Sequence, residues 1–310
     1  MTDSIQRVAV LGAGTIGASW AALFLARGLT VQVHDPSPTQ ERDVRAYVAT
    51  AWPSLERLGL AAQGDPDRVT FHDNTRAAVE GVQFVQESVP ERLDIKHATY
   101  RAIEPALAPE AIVATSASGL MVREMQAGFA DPARFLLAHP FNPPHLIPLV
   151  ELLGNEKTDP AAVDQAADFY EACGKTTIRL HKEVPGHVAN RLQAALWREA
   201  IHLVIEGVAS LEDVDKAVSA GPGLRWAVMG PHMLFNLAAG PDGMNAFCDR
   251  YGPSFQRWWD DLGAPRLEDG VAQRLVDGLS EAEQGRSLPQ IAAARDERLV
   301  RILQTLAQAD

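Results

Sequence analysis

The sequence predicts an α/β chain in which a mostly parallel, helix-covered sheet is followed by an all-α C-terminal domain. Three observations carry this. Short apolar runs alternate with helix-periodic segments up to about residue 185. A glycine-rich turn joins the first apolar run to the first helical segment. Beyond Pro185-Gly186 only helical patterns remain. The expected domains are therefore 1–185 and 186–310.

The first unit is read in chain order. Arg7-Val8-Ala9-Val10-Leu11 is short, apolar and closed by glycine, as a buried strand should be. Gly12-Ala13-Gly14-Thr15-Ile16-Gly17 follows, then a helical stretch from Ala18 to Arg27 that stops at Gly28. A second strand, Leu29 to His34, ends on Asp35. Each residue type has a reason. Gly12 permits the tight turn, Gly14 lets backbone approach a pyrophosphate, and Gly17 lets helix pack on strand. The helix N-terminus supplies amide donors for phosphates. Asp35 is placed to bind adenosine ribose hydroxyls and to repel a 2′-phosphate, which favours NAD over NADP, although Arg42 nearby weakens that preference. Strand, glycines, helix, strand and acid in this order predict a Rossmann-type domain that binds NAD.

Helical segments near 39–58 and 91–107 then alternate with strands at Val69–Phe71, Phe84–Gln86, Ile112–Thr115, Phe135–Ala138, Val150–Leu153 and Thr176–Arg179. After Pro185-Gly186, helices are expected at 187–206, 211–219, 230–238, 242–250, 271–283 and 287–307.

Bulk chemistry excludes several functions. The 310 residues carry 28 Lys and Arg against 40 Asp and Glu, a net charge of −12. Nucleic acid and anionic membrane surfaces reward the opposite balance. No apolar stretch is long enough to span a bilayer, and the N-terminus lacks the pattern of an export signal. Two cysteines, Cys173 and Cys248, cannot build a disulfide framework, so a reducing cytoplasm and packed thiols are expected. The nine histidines form no metal-ligand pattern, so no metal is expected.

His139-Pro140-Phe141-Asn142-Pro143-Pro144 closes the strand from Phe135. Three prolines pin its backbone, and a histidine at the end of such a strand faces the crevice where these sheets bind ligands. Imidazole titrates near neutrality and can exchange an alcohol proton during hydride transfer. Glu151, twelve residues on, could orient the ring and stabilise imidazolium. On chemistry alone, a capped structural histidine beside a surface glutamate fits as well.

This segment resembles the His-x-Phe-Asn-Pro motif, with its glutamate twelve positions later, of the 3-hydroxyacyl-CoA dehydrogenase superfamily. Pro185-Gly186-His187-Val188-Ala189-Asn190-Arg191 is similar to the family's Pro-Gly-Phe-x-x-Asn-Arg, and the glycine turn stands in family order. The resemblance implies that His139 is the general acid/base, Glu151 its partner, and Asn190 a residue near the substrate oxygen. It places Ser118 at the substrate-binding serine. Ser116 and Ala117 depart from the family's Asn-Thr-Ser-Ser, which leaves open whether Ser116 or Ser118 faces the substrate.

Within the family, few cations follow the first βαβ unit to meet the phosphates of CoA: residues 39–70 hold Arg42, Arg45, Arg57 and Arg68 and no lysine. Gly223-Leu224-Arg225-Trp226-Ala227 and Arg295-Asp296-Glu297-Arg298-Leu299 resemble the branch of carnitine and gulonate dehydrogenases, the lambda-crystallin group. That resemblance implies an NAD-dependent oxidation of a small L-3-hydroxy acid, with Arg225 holding its carboxylate and Trp226 beside it. The alternative is an arginine that ties down its own helix or the dimer interface. Trp258 and Trp259 fit either the site or a subunit contact, and a homodimer is implied. An L-3-hydroxyacyl-CoA dehydrogenase and a non-catalytic crystallin-type dinucleotide binder are the alternatives.

Overall fold

A computed structural model describes residues 5–308. Its strands are β1 (Arg7–Leu11), β2 (Thr30–His34), β3 (Val69–Phe71), β4 (Phe84–Glu87), β5 (Ile112–Thr115), β6 (Phe135–Pro140), β7 (Leu149–Leu153) and β8 (Thr176–Arg179). Between them lie α1 (Thr15–Ala26), α2 (Gln40–Arg57), α3 (Thr75–Val79), α4 (Leu93–Ile103), α5 (Val122–Gln126) and α6 (Pro160–Ala172). The sheet order is β3-β2-β1-β4-β5-β6-β7-β8. Pairing is parallel except between β6 and β7, which run antiparallel. The order reverses between β1 and β4, the switch point at which such sheets open a ligand crevice.

Alternation along the strands divides the core in two. Val8, Val10, Ile112, Ala114, Leu136 and Ala138 pack with Trp20, Phe24, Phe84, Phe169 and Tyr170 on one face. Ala9, Leu11, Val113, Phe135, Leu137 and Leu153 pack with Tyr100, Ile103 and Met125 on the other. Burial of whole aromatic side chains at roughly 2 to 3 kcal/mol each makes these layers the main source of stability.

Helices α3, α5 and α6 fall where the sequence pattern suggests none. They are short or alanine-rich, and their ends are set locally. Asp159 caps α6 by accepting from the Ala161 amide, with Pro160 in the first turn, and Ala162, Ala166, Phe169 and Tyr170 are buried.

The chain divides into two compact units, the first running to Ala189 and rejoined by residues from Arg295 onward. The rejoining segment is the end of α13 (Leu288–Ala307), where Gln304 Nε2 donates to the Arg57 carbonyl at 2.7 Å and Glu297 pairs with Arg57. The second unit, Asn190–Ala294, is helical: most of α7 (Ala189–Ile205), then α8 (Leu211–Ala220), α9 (Pro222–Trp226), α10 (Pro231–Ala238), α11 (Gly243–Asp261), α12 (Asp269–Glu283) and the start of α13. Helix α11 outruns the expected 242–250 and passes through Pro253. Phe247 stacks on Phe235 and touches Tyr251 and Phe255 along the same helix, so an aromatic cluster flanks the proline. Cys173 is buried, but Cys248 is exposed, against the expectation of two packed thiols.

Candidate active site

The turn after β1 is shaped for a dinucleotide. Gly12 has φ 85°, and a β-carbon there would meet the Ser88 carbonyl at 2.5 Å, so β1 and β4 close on each other only because the side chain is absent. A β-carbon on Gly17 would meet the Gly12 carbonyl. Gly14 faces open space, and the start of α1 lacks a side-chain cap, which leaves the amides of Thr15 and Ile16 for an anion. Asp35 stands at the end of β2, half-buried, accepting from the Ala13 amide through Oδ2 and the Ser37 amide through Oδ1, both at 2.8 Å. The residues present therefore fit NAD.

His139 and Glu151 lie directly opposite each other in the β6/β7 ladder. The period of two puts both on the face of Phe135, Leu137 and Leu153, and Nδ1 of His139 meets Oε2 of Glu151 at 2.8 Å. Glu151 is fully buried, and its Oε1 accepts from the amides of Val188 and Ala189 at 2.9 and 3.0 Å. Burial pushes its pKa up. The hydrogen bonds from His139, Ala189 and Val188 outweigh that and leave it below the usual value. A carboxylate accepting at Nδ1 fixes the proton there and leaves Nε2 free to act as a base.

Ser118 is tied to a residue that sequence reading missed. Glu91, at the start of the segment into α4, accepts from the Ser118 amide at 2.9 Å, the Leu120 amide at 3.1 Å and the Gly119 amide. Its other oxygen accepts from Ser118 Oγ at 2.8 Å. Burial opposes ionisation of Glu91, but the bonds from Gly119, Ser118 and Leu120 hold its pKa below the usual value. Ser116, by contrast, accepts from Gln86 Nε2 and pairs with Ser88 Oγ, each at 2.9 Å.

Two further polar groups, also missed, pin the loop that follows His139. Lys175 is buried over the Trp20 ring, its Nζ donating to the carbonyls of Pro144 and Ile147, the latter at 2.8 Å. Ser19 on α1 accepts from the His145 amide at 2.9 Å and shares a hydrogen bond with its ring. A fully buried Glu87 at the end of β4 is satisfied by Lys96, Tyr100 and Thr115 at 2.6 to 2.9 Å. None of these stands out in a sequence, since each looks like any other polar residue until its partner is known.

The 3-hydroxyacyl-CoA dehydrogenase NAD-binding domain matches residues 7–184, and the C-terminal domain of the same family matches 186–272.

The chain belongs to the 3-hydroxyacyl-CoA dehydrogenase family.

It is an NAD-dependent dehydrogenase, with a dinucleotide-binding sheet and a helical C-terminal part. Within the family it is 48% identical over 97% of its length to an L-carnitine dehydrogenase of Streptomyces coelicolor, covering 95% of that protein. It is 42% identical to one of Pseudomonas putida, over 97% of this chain and 94% of the other. Among solved structures, 5-formyl-3-hydroxy-2-methylpyridine 4-carboxylic acid 5-dehydrogenase, an NAD+-dependent dismutase, superposes with a TM-score of 0.83 at 33% identity, covering 98% of this chain and 99% of that one.

The remaining residues singled out from sequence belong to the helical unit of this dehydrogenase. Asn190 is the second residue of α7 and follows Ala189, whose amide binds Glu151. Arg225 and Trp226 close α9, both exposed, with Trp226 at 40%. Trp258 and Trp259 are also exposed, on α11, where both rings border Phe255.

Proposed function

We propose that this dehydrogenase reversibly oxidises the 3-hydroxyl of a small L-3-hydroxy acid with a free carboxylate, of the carnitine or gulonate type. The observation that carries the reading is the buried His139–Glu151 hydrogen bond, which leaves one imidazole nitrogen as a base. Similarity over nearly the whole chain to L-carnitine dehydrogenases supports the free-acid class.

His139 takes the hydroxyl proton at Nε2, and Glu151 balances the imidazolium that forms. NAD, when held at the Gly12–Gly17 turn, supplies the hydride acceptor. Ser118 and Asn190 hydrogen-bond the reacting oxygen. Arg225 grips the carboxylate through two parallel N–H donors, with Trp226 as the adjoining wall. In the reverse direction His139 returns its proton to the same oxygen.

The enzyme acts as a cytoplasmic homodimer in this reading. Leu192, Trp197, Val228, Trp258 and Trp259 leave large apolar side chains exposed in the helical unit, which supports a partner surface there. No helix among the described residues is long and apolar enough to cross a membrane.

NADH formation by the purified protein with L-carnitine, L-gulonate, L-3-hydroxybutyrate and L-3-hydroxybutyryl-CoA tests the proposal. Turnover confined to free acids is expected. Turnover of the CoA ester alone would overturn the carboxylate role of Arg225 and return the protein to acyl-CoA chemistry.

A further inference from the structure

Along the sheet, β4 and β5 separate β1, which leads into the Gly12–Gly17 turn, from β6, which carries His139. A dinucleotide whose phosphates sit at that turn, and whose nicotinamide meets an oxygen held by His139, crosses the C-terminal ends of β4 and β5. Ser88 and Ser116 stand at those two ends. The ladder runs one step past each strand: the Ser88 amide donates to the Leu11 carbonyl at 2.7 Å, and the Ser116 amide to the Glu87 carbonyl at 2.8 Å. Alternation puts both side chains on the face of Val10, Phe84 and Ala114, against which α1 packs. His139 approaches from the opposite face, that of Leu137.

The hydrogen bonds of this pair leave one hydroxyl proton unused. Tyr170 is fully buried, burial holds its phenol well above the ordinary pKa, and its hydroxyl donates to Gln86 Oε1 at 2.5 Å. Gln86, also fully buried, turns Nε2 to the Ala114 carbonyl at 3.4 Å and to Ser116 Oγ at 2.9 Å. The reverse amide orientation would set its oxygen against that carbonyl. Ser116 Oγ is thus an acceptor toward Gln86, and it shares a single proton with Ser88 Oγ across 2.9 Å. The two hydroxyls own one proton each. One bridges them, and the other has no acceptor among the described residues. Both serines are only half-buried, unlike the Gln86 and Tyr170 that support them. A solvated strand end needs no such buried support.

We propose that Ser88 and Ser116 position the cofactor, their unused hydroxyl proton donating to a ribose hydroxyl oxygen on the nicotinamide side of NAD. That ribose is the part of the molecule between the phosphates and the nicotinamide, and its hydroxyls accept as well as donate. The proposal rests on His139 marking the reacting end of the site, and is independent of which hydroxy acid is oxidised. Neither serine carries a proton or hydride in the reaction.

The test titrates wild type, Ser88→Ala and Ser116→Ala with NADH, ADP-ribose and ADP, the first by fluorescence and the others by calorimetry. ADP-ribose keeps the second ribose and lacks nicotinamide, and ADP lacks both. Either alanine should weaken NADH and ADP-ribose by about five- to tenfold, the size of one neutral hydrogen bond, and move ADP by less than about twofold. Because the two hydroxyls act as a unit, the double variant should lose little more than either single one. Unchanged affinities would overturn the proposal. So would an equal loss for all three ligands, which would make the pair a support of the glycine turn. A loss confined to NADH would move the contact to the nicotinamide and overturn the ribose assignment. If one variant does not fold, the other carries the same comparison. The titrations need no turnover, so their outcome is separate from that of the substrate assays.

Discussion

His139 and Glu151 face each other across the antiparallel step between β6 and β7, with Nδ1 2.8 Å from Oε2 and the carboxylate wholly buried. Glu151 is also the acceptor for two amides of the turn into α7, so one carboxyl group joins the imidazole to the chain segment that leads into the helical unit.

Acid/base chemistry at His139 predicts a split between rate and affinity. His139→Gln should lower kcat by about 10² to 10⁴ while leaving NADH affinity nearly unchanged. Steady-state rates and NADH fluorescence titration decide it. Equal loss of turnover and cofactor binding would mean that the histidine is structural.

Glu91 gathers the Ser118 hydroxyl and three consecutive amides on one carboxyl group. Glutamine at this position has one acceptor oxygen in place of two, and its amide group would point at donors. Glu91→Gln should therefore loosen the Ser118 loop, raise KM for the hydroxy acid roughly tenfold and lower the melting temperature by a few degrees, as a loss on the order of 1 kcal/mol would. Kinetics and thermal unfolding of the same preparation check both. An unchanged KM would separate Ser118 from the substrate.

The role proposed for Arg225 predicts selectivity between substrates. Arg225→Met should raise KM for a carboxylate substrate roughly tenfold or more and leave that of a neutral analogue nearly unchanged, since it removes a charge-assisted pair. Parallel rises for both would make the arginine a structural element of α9.

The loop after His139 should make stability depend on pH. Burial, as the main cause, lowers the His145 pKa from 6.5 to about 4. The unfolded chain takes up that proton as pH falls through the upper value, and the folded protein only near the lower one. Stability is therefore complete above the unfolded pKa and declines as pH drops toward the folded one, by about 2 kcal/mol from this group between about pH 7.5 and about pH 5. Urea unfolding at those two values should show that loss in wild type and a loss smaller by about the same amount in His145→Asn.

Much of the site is legible in the residues themselves. The Gly12–Gly17 turn, Asp35 and His139 announce themselves by residue type and local spacing, and each stands in a turn or toward a strand end. The twelve-residue interval between His139 and Glu151 becomes a contact for a reason that spacing alone does not supply. Strand β7 runs against β6, and only that register sets residue 139 opposite 151. Glu91, Lys175, Ser19 and His145 give no such signal. Each meets a partner 27 or more residues away, and a polar side chain is unremarkable until topology decides whether water or a buried backbone group satisfies it.

The sheet-then-helix order and the dinucleotide turn follow from the residues alone, because they depend on apolar periodicity, glycine and proline, which act over a few positions, whereas His139 and Glu151 are singled out as a pair only by the family resemblance. The antiparallel step, the Glu91 clamp on Ser118 and the pairing of Ser88 with Ser116 come from the folded chain. Those depend on strand order and register, through which packing brings distant residues together and removes the water that would otherwise have been their partner.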